Sequence, residues 1–168
     1  TVCTAPESQN SPTLAGDGTG GAIVVLNDNR TGGSVEIYAQ RMNSAGVAQW
    51  TTDGVPLRSG GNNQSQQIIA DGVGGAIVSW SDFQFDYDIY TQHVNASGST
   101  LWAANGVPVC TVTQPQFLTS LVPNGTAGAL AVWSDYRNGI DTDIYAQSLN
   151  ASGSLGDPLG GTVGGGVT

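Results

Sequence analysis

The sequence contains no lysine, few charged side chains and no long apolar segment. Its 168 residues include 4 basic side chains against 13 acidic ones, which gives a formal net charge of −9. A chain with so little positive charge is not expected to bind nucleic acid or an anionic membrane. The absence of lysine also excludes a Walker A phosphate site, a Schiff base and a Ser-Lys dyad. The four cations are Arg30, Arg41, Arg58 and Arg137.

Cysteine is also scarce. Cys3 and Cys110 are too few for a disulfide-stapled small domain, and no C-x-x-C pair indicates a zinc or redox site. No apolar run approaches the roughly 18 residues of a membrane span, and no signal-peptide pattern is present. We therefore expect a chain without membrane insertion that has been processed or excised from something longer. Its Asn-x-Ser/Thr sequons fit an extracellular location. They begin at Asn29, Asn63, Asn95, Asn124 and Asn150.

The strongest signal is internal repetition at a period of roughly 50 residues. A Gly-Gly-Ala-Ile-Val segment at 20–24 returns at 74–78 and, more loosely, at 127–131. A segment with an acidic residue followed by Ile-Tyr lies at 36–40, 88–92 and 143–147. Because several independent motifs recur in one order, we interpret the chain as three units of one repeat.

Each unit is predicted to contain four short strands and no helix, because glycine and proline interrupt every candidate helical window. Asp-Gly and Asn-Gly pairs predict a tight turn between the first two strands. The second strand has a continuous apolar run, which is typical of burial on both faces. An Asp-rich turn leads to the third strand, and the fourth strand is predicted around Trp50 and Trp102.

Four strands in a unit of roughly 50 residues are typical of a β-propeller blade. The ordered pattern D-G-x-G-G-A-I-V-x-W-S-D, D-I-Y-x-Q, N-x-x-G, W and G-V-P-V-C resembles the propeller repeats of large secreted bacterial surface proteins. The resemblance implies an all-β, β-propeller-like fold, export and a non-catalytic surface role. We predict one domain over 1–168. Its four-stranded antiparallel blades lie at about 11–57, 65–110 and 117–155, followed by a glycine-rich tail at 156–168.

Three blades are too few to close a propeller, which typically needs about four to eight. The chain also opens with Val2-Cys3-Thr4, which matches Val109-Cys110-Thr111 at the end of the second unit. Three outcomes stay open: two chains form one closed ring, chains exchange end strands and polymerise, or the chain is a piece of a longer propeller. In the second outcome, the tail at 156–168 is the candidate exchanged strand.

Acidic turns between the second and third strands are the candidate metal site. Oxygen ligands spaced along a loop suit Ca²⁺, and the alternative is that these aspartates cap turns and pair with Arg30 or Arg137. The first unit has only Asp28 and Glu36 there, which argues against an ion in every unit. The candidate ligands are Asp82, Asp86, Asp88, Asp135, Asp141 and Asp143. No cofactor is expected apart from Ca²⁺ at these turns.

Recurrent aromatic residues are a candidate ligand site, since exposed tryptophan stacks on sugar rings. We single out Trp50 and Trp102 for that role, although recurrence at strand positions more often indicates core packing. His93 has Arg41 and Ser148 as its counterparts in the repeat, so we expect it on a variable, solvent-facing surface without a catalytic partner.

The two cysteines occupy equivalent repeat positions two units apart. In one planar propeller, Cys3 and Cys110 would lie well beyond the ~7 Å between Cα atoms that a disulfide tolerates. A bridge within one chain is therefore not expected. A bridge that joins the start of one chain to another chain is the hypothesis.

We expect a secreted, non-catalytic structural protein that self-assembles through its incomplete blade ends into an extracellular filament or surface layer. One alternative is a carbohydrate-binding, lectin-like propeller that dimerises into a closed ring. Another is a propeller glycosidase, whose paired carboxylates would lie on different blades. The predicted partner is a further copy of the same chain, with glycans as partners in the lectin alternative.

Overall fold

A computed structural model describes residues 1–156, which form eleven β-strands in three antiparallel sheets and contain no helix. Sheet 1 contains β1 (Gln9–Gly16), β2 (Ala22–Asp28), β3 (Glu36–Met42) and β4 (Val55–Arg58). Sheet 2 contains β5 (Asn63–Ala70), β6 (Ala76–Phe83), β7 (Tyr87–Val94) and β8 (Val107–Cys110). Sheet 3 contains β9 (Gln116–Pro123), β10 (Ala129–Asp135) and β11 (Asp143–Leu149). The all-β prediction is confirmed.

Every sheet is a meander in which strands that are consecutive in the chain pair with each other. The registers of the second and third strands also agree between sheets. Trp80 lies opposite Tyr90 in sheet 2, and Trp133 lies opposite Tyr145 in sheet 3. The repeat in the sequence is therefore also a repeat in backbone pairing.

The turn between the first and second strands is built on one side-chain oxygen. Asp17 Oδ1 accepts hydrogen bonds from the backbone N–H of Thr19 at 2.8 Å and of Gly21 at 2.9 Å. Asp71 binds the corresponding turn of sheet 2 in the same way. A Cβ atom at Gly21 would collide with the carbonyl oxygen of Met42. The second glycine of the repeated Gly-Gly pair is therefore needed where this turn approaches the end of the third strand.

The fourth strand lies further along the chain than the sequence predicts. The prediction of a strand around Trp50 and Trp102 is wrong, because β4 begins at Val55 and β8 begins at Val107. Gly54, with a φ angle of 88°, turns the chain into β4. In sheet 3, the structure describes only three strands up to residue 156.

Apolar side chains fill two junctions between the sheets. Between sheets 1 and 2, Ile23, Ile37 and Leu57 of sheet 1 pack with Trp80 and Val94 of sheet 2. Such packing of large apolar groups removes them from water, which is the main favourable contribution to folding.

The junction between sheets 2 and 3 has the same composition. Ile77 and Ile89 of sheet 2 pack with Leu118, Trp133 and Leu149 of sheet 3. Sheet 2 is thus covered on both faces, and β6 is buried along its whole length except for its last residue. The continuous apolar run in β6 predicts this burial correctly.

Sheets 1 and 3 each have an outer face that no other sheet of the described chain covers. β10 accordingly alternates between buried and half-buried residues, unlike β6. The first strands β1, β5 and β9 lie side by side, with β5 in contact with both of the others. Within residues 1–156, there is no helix of the length and apolar character needed to cross a membrane.

Candidate association surfaces and junction clusters

A buried aspartate stands at or near the end of the second strand of every sheet. Asp28, Asp82 and Asp135 are at most 1% exposed. Each forms an ion pair with one arginine, at N–O distances of 2.6, 2.7 and 2.5 Å, respectively. A carboxylate that is removed from water needs such a partner, since an unpaired buried charge is strongly destabilising.

The arginine that pairs with each aspartate comes from one of two positions in the fold. Asp82 is paired with Arg58, the last residue of β4 in the preceding sheet. Asp28 and Asp135 are instead paired with the arginine two positions later in their own turn. Where the arginine comes from the same turn, the position equivalent to Arg58 is a cysteine. Each buried aspartate therefore has one arginine partner, which comes either from the preceding sheet or from the aspartate's own turn.

The cluster at the junction of sheets 2 and 3 contains Cys110, the last residue of β8. Its Sγ atom lies 3.8 Å from Asp135 Oδ2 and 3.6 Å from Arg137 Nη2. The guanidinium carbon of Arg137 lies 3.7 Å from the ring centroid of Tyr145. This cluster joins the fourth strand of one sheet to the second and third strands of the next.

The same cluster recurs on the outer face of sheet 1. Cys3 Sγ lies 3.7 Å from Asp28 Oδ2 and 3.5 Å from Arg30 Nη2, and the guanidinium carbon lies 3.6 Å from the ring centroid of Tyr38. The offset between the two clusters is constant, since 110 − 3, 135 − 28, 137 − 30 and 145 − 38 all equal 107. Cys3 therefore lies against sheet 1 as the end of β8 lies against sheet 3.

Arg30 and Arg137 keep Asp28 and Asp135, respectively, ionised. Burial alone would raise the pKa of Asp135, but hydrogen bonds from Arg137 and from Trp133 Nε1 hold that pKa below its usual value. Arg30 lowers the pKa of Asp28 against the same effect of burial. Both clusters are therefore charged pairs at neutral pH.

The two thiols are not activated. Burial raises the pKa of Cys3 and of Cys110, so both carry a proton near neutral pH and are poor nucleophiles. Both are free within the described chain. Cys110 is only 5% exposed inside the core between sheets 2 and 3. Of the two, Cys3 is the one that another chain can reach, and the intermolecular disulfide stays a prediction.

The outer face of sheet 3 exposes apolar side chains. Ile144 is 68% exposed, whereas Ile37 and Ile89, at the equivalent positions of sheets 1 and 2, are 0% exposed in the junction cores. Val122 of β9 is exposed as well, and it lies opposite Leu130 of β10. This face has the composition of a junction face, and nothing in the described part of the chain covers it.

The outer face of sheet 1 contains an apolar pocket of about 250 Å³. It is lined by Val24 and Leu26 of β2 and by Val2 and Cys3 of the N-terminal segment, among others. The positions equivalent to Leu26 in sheets 2 and 3 are buried tryptophans in the junction cores. Leucine is smaller than tryptophan, and Leu26 lines an open pocket on this face.

Trp50 and Trp102, the candidate sugar-stacking residues, lie half-buried against the next sheet. Trp50 Nε1 donates a hydrogen bond to the carbonyl oxygen of Ala96 at 3.0 Å, and Trp102 Nε1 donates to that of Ala151 at 3.1 Å. A Cβ atom at Gly98 would collide with the ring of Trp50. These contacts attach neighbouring sheets to each other, and the sugar-binding role of the two rings stays a prediction.

The aspartates proposed as calcium ligands have different surroundings. Asp82 and Asp135 are bound to arginines, as described above. Asp141 and Asp143 both accept hydrogen bonds from Asn138 Nδ2. In the part of the chain that the structure describes, no group of three or more His, Cys, Asp or Glu side chains could hold a metal ion. The pairing of Asp135 with Arg137, predicted as the alternative, is present, and calcium binding stays a prediction.

The pKa of Asp88 is shifted in the opposite direction to the pKa values of Asp28 and Asp135. It lies opposite Asp82 in the pairing of β6 with β7. Burial, together with the negative charges of Asp86 and Asp82, raises the pKa of Asp88 to about 6. Its ionised form is therefore unfavourable in the folded chain.

His93 is not solvent-facing, contrary to the prediction. It is buried, and its Nε2 atom lies 3.0 Å from Asp71 Oδ2 in the first turn of the same sheet. Arg41, its counterpart in sheet 1, donates in the same way to Asp17. The position therefore varies in residue type, while both side chains contact an aspartate in the first turn of their own sheet.

The chain has no match among protein-family models, curated proteins or solved structures. Neither the exposure of Ile144 nor the contact of Cys3 with Asp28 and Arg30 was predicted from the sequence. A residue-by-residue alignment of the three units contains the signal, since each of these residues has a buried counterpart. The proposed exchanged tail lies outside the described residues, apart from Gly156.

Proposed function

We propose that the protein is a non-catalytic structural protein of β-propeller type that self-assembles head to tail into an extracellular filament or surface layer. In this assembly, the outer face of sheet 3 in one copy packs on the outer face of sheet 1 in the next. The observation that carries the proposal is the exposure of Ile144, which is 68%, while its two counterparts are 0% exposed in the junction cores.

The packing inside the chain supports this arrangement. Sheet 1 contacts sheet 2 through one face, and sheet 2 contacts sheet 3 through its own equivalent face. Sheet 3 presents that same face without a neighbour in residues 1–156. The sheets therefore act as blades stacked by one repeated contact. Repeating a head-to-tail contact between copies gives a ring if its rotation closes and a filament if it does not.

The two end faces also complement each other in shape and polarity. At both internal junctions, the isoleucine equivalent to Ile144 shares a core with the residue equivalent to Leu26. Ile144 protrudes from one end face, and the pocket beside Leu26 opens on the other. Burying a whole isoleucine side chain contributes roughly 1.5–3 kcal/mol. Since each copy carries a formal charge of −9, apolar contact rather than charge attraction must drive the association.

The test introduces a charge into the proposed contact. Ile144→Asp would place an unpaired carboxylate in an apolar junction, which we expect to weaken association by at least about 100-fold. The matched control is Val73→Asp, because Val73 is 80% exposed in the β5–β6 turn, away from both end faces. Sedimentation velocity over a range of concentrations and negative-stain electron microscopy measure the assembly.

The proposal is supported if the wild-type chain and Val73→Asp assemble and Ile144→Asp does not. Equal assembly by the two variants contradicts it, as does a wild-type chain that stays monomeric at its highest soluble concentration. If the micrographs show discrete rings of two copies, the same contact closes into a ring and does not build a filament.

A further inference from the structure

The fourth strand of sheet 2 makes two kinds of contact at once. Through its backbone, β8 pairs with β7 of its own sheet, with Cys110 opposite Ile89. Through its side chains, it packs on the next sheet, where Cys110 meets Asp135 and Arg137. A fourth strand is therefore an edge strand of one sheet and part of the junction with the following sheet.

Residues 1–3 make only the second kind of contact. Cys3 meets Asp28 and Arg30 of sheet 1 as Cys110 meets its own partners in sheet 3. In the described part of the chain, no strand pairs with residues 1–3. The segment is thus placed like the end of a fourth strand, although no sheet of residues 1–156 pairs with it.

Sheet 3 has a strand edge at which such a fourth strand could pair. β11 pairs with β10 along one edge, and its other edge has one described bridge, between Leu149 and Leu155. In residues 1–156, no strand pairs with β11 at Ile144, the position equivalent to Ile89. An edge of this kind exposes backbone N–H and C=O groups that accept a further strand.

We propose that residues 1–3 of one copy form the end of the fourth strand of sheet 3 in the neighbouring copy. The inference rests on the proposed head-to-tail association, which brings sheet 1 and its attached N-terminal segment against sheet 3. The repeat fixes the register. Cys110 lies opposite Ile89 and Pro108 opposite Tyr90, so Cys3 lies opposite Ile144, and Thr1 lies opposite Tyr145 of the other copy.

This arrangement links each copy to the next by backbone pairing as well as by side-chain packing. The Asp28 and Arg30 cluster holds Cys3 on its own sheet 1, so the segment remains attached to its own molecule while it extends the sheet of another. The partner surface is therefore specific for a second copy of this chain, because both the register and the junction cluster come from the same repeat.

Disulfide trapping tests the register. Two forms of the protein are mixed. One form carries Cys3→Ser together with Ile144→Cys, and the other form retains Cys3 and Ile144. Residues opposite each other in an antiparallel pair have Cα atoms roughly 4.5–5.5 Å apart, within the range of a disulfide. Mild oxidation with oxidised glutathione is expected to give a dimer cross-linked between Cys3 and position 144 only in the mixture, as identified by peptide mass spectrometry. The matched control replaces Ile144→Cys with Ile140→Cys, since Ile140 is 81% exposed in the β10–β11 turn.

Sedimentation of the same samples separates the two proposals. Assembly without a disulfide at position 144, or with an equal yield at position 140, overturns the strand inference and leaves the head-to-tail association standing. Absence of assembly by the wild-type chain overturns both.

A second measurement uses deletions and does not depend on the new cysteine. Removing residues 1–3 is expected to weaken assembly at least about tenfold, whereas removing residues 157–168 leaves it unchanged. The reverse pattern assigns the strand to the C-terminal residues and contradicts the inference.

Discussion

The arginine at the junction between sheets 1 and 2 comes from sheet 1, and supplying it from sheet 2 instead is expected to retain most of the stability of the fold. Arg58 donates to Asp82 Oδ2 from Nε at 2.9 Å and from Nη2 at 2.7 Å. Arg58→Cys removes this partner from a buried carboxylate, which is expected to lower the free energy of unfolding by about 3–5 kcal/mol.

The compensating change is Gln84→Arg. Gln84 is the second residue after Asp82, as Arg30 and Arg137 are after their own aspartates, and its Nε2 atom already lies 3.4 Å from Asp82 Oδ2. The double variant reproduces the cysteine–arginine form of the other two clusters. We therefore expect it to recover about 2–3 kcal/mol of the loss.

Urea unfolding followed by tryptophan fluorescence measures this double-mutant cycle. The cycle is carried out in an Ile144→Asp background, so that association does not add to the apparent stability. Gln84→Arg alone is the control, and it is expected to change stability by less than about 1 kcal/mol, since Arg58 already pairs with Asp82. A double variant as unstable as Arg58→Cys would contradict the exchange of one arginine for the other, as would a loss below about 1 kcal/mol for Arg58→Cys.

Two further predictions concern the turns and the contacts between sheets. The pKa of Asp88, about 6, lies above its ordinary value, so the folded chain loses stability as the pH rises from about 4 through 6. Asp88→Asn is therefore expected to stabilise the fold by about 1 kcal/mol at pH 7.5, allowing for solvent screening, and to give only about a third of that gain at pH 4.5 in thermal melts. Trp102→Phe removes the hydrogen bond to the Ala151 carbonyl oxygen and is expected to cost about 1 kcal/mol in urea unfolding. Leu101→Ala, at an exposed neighbouring position, serves as its control, and an equal loss in both variants would contradict a specific role for the indole N–H.

Much of the fold follows from short-range patterns in the sequence. The first and second strands are marked by a turn residue, two glycines and an apolar run, and each feature has a local physical cause. Asp17 satisfies the backbone N–H groups of its turn, and Gly21 allows the turn to approach the third strand. These constraints act within one unit, so they can be recognised without knowledge of the neighbouring units.

The features that sequence reasoning missed depend on neighbouring sheets. The sequence predicts a strand at Trp50, but this residue lies before β4. Its indole N–H group instead donates to the next sheet. His93 looks variable and polar, but it is buried by its partner Asp71. The exposure of Ile144 depends on which sheets have neighbours, and this information is not contained in the repeat pattern itself.

The central claim is that one junction, repeated inside the chain, is also the contact between copies. Cryo-electron microscopy of the assembled wild-type protein tests it most directly. The expected map has sheet 3 of one copy packed on sheet 1 of the next, with Ile144 buried beside Leu26. A map in which copies meet through other surfaces, with the outer face of sheet 3 open to solvent, would contradict it.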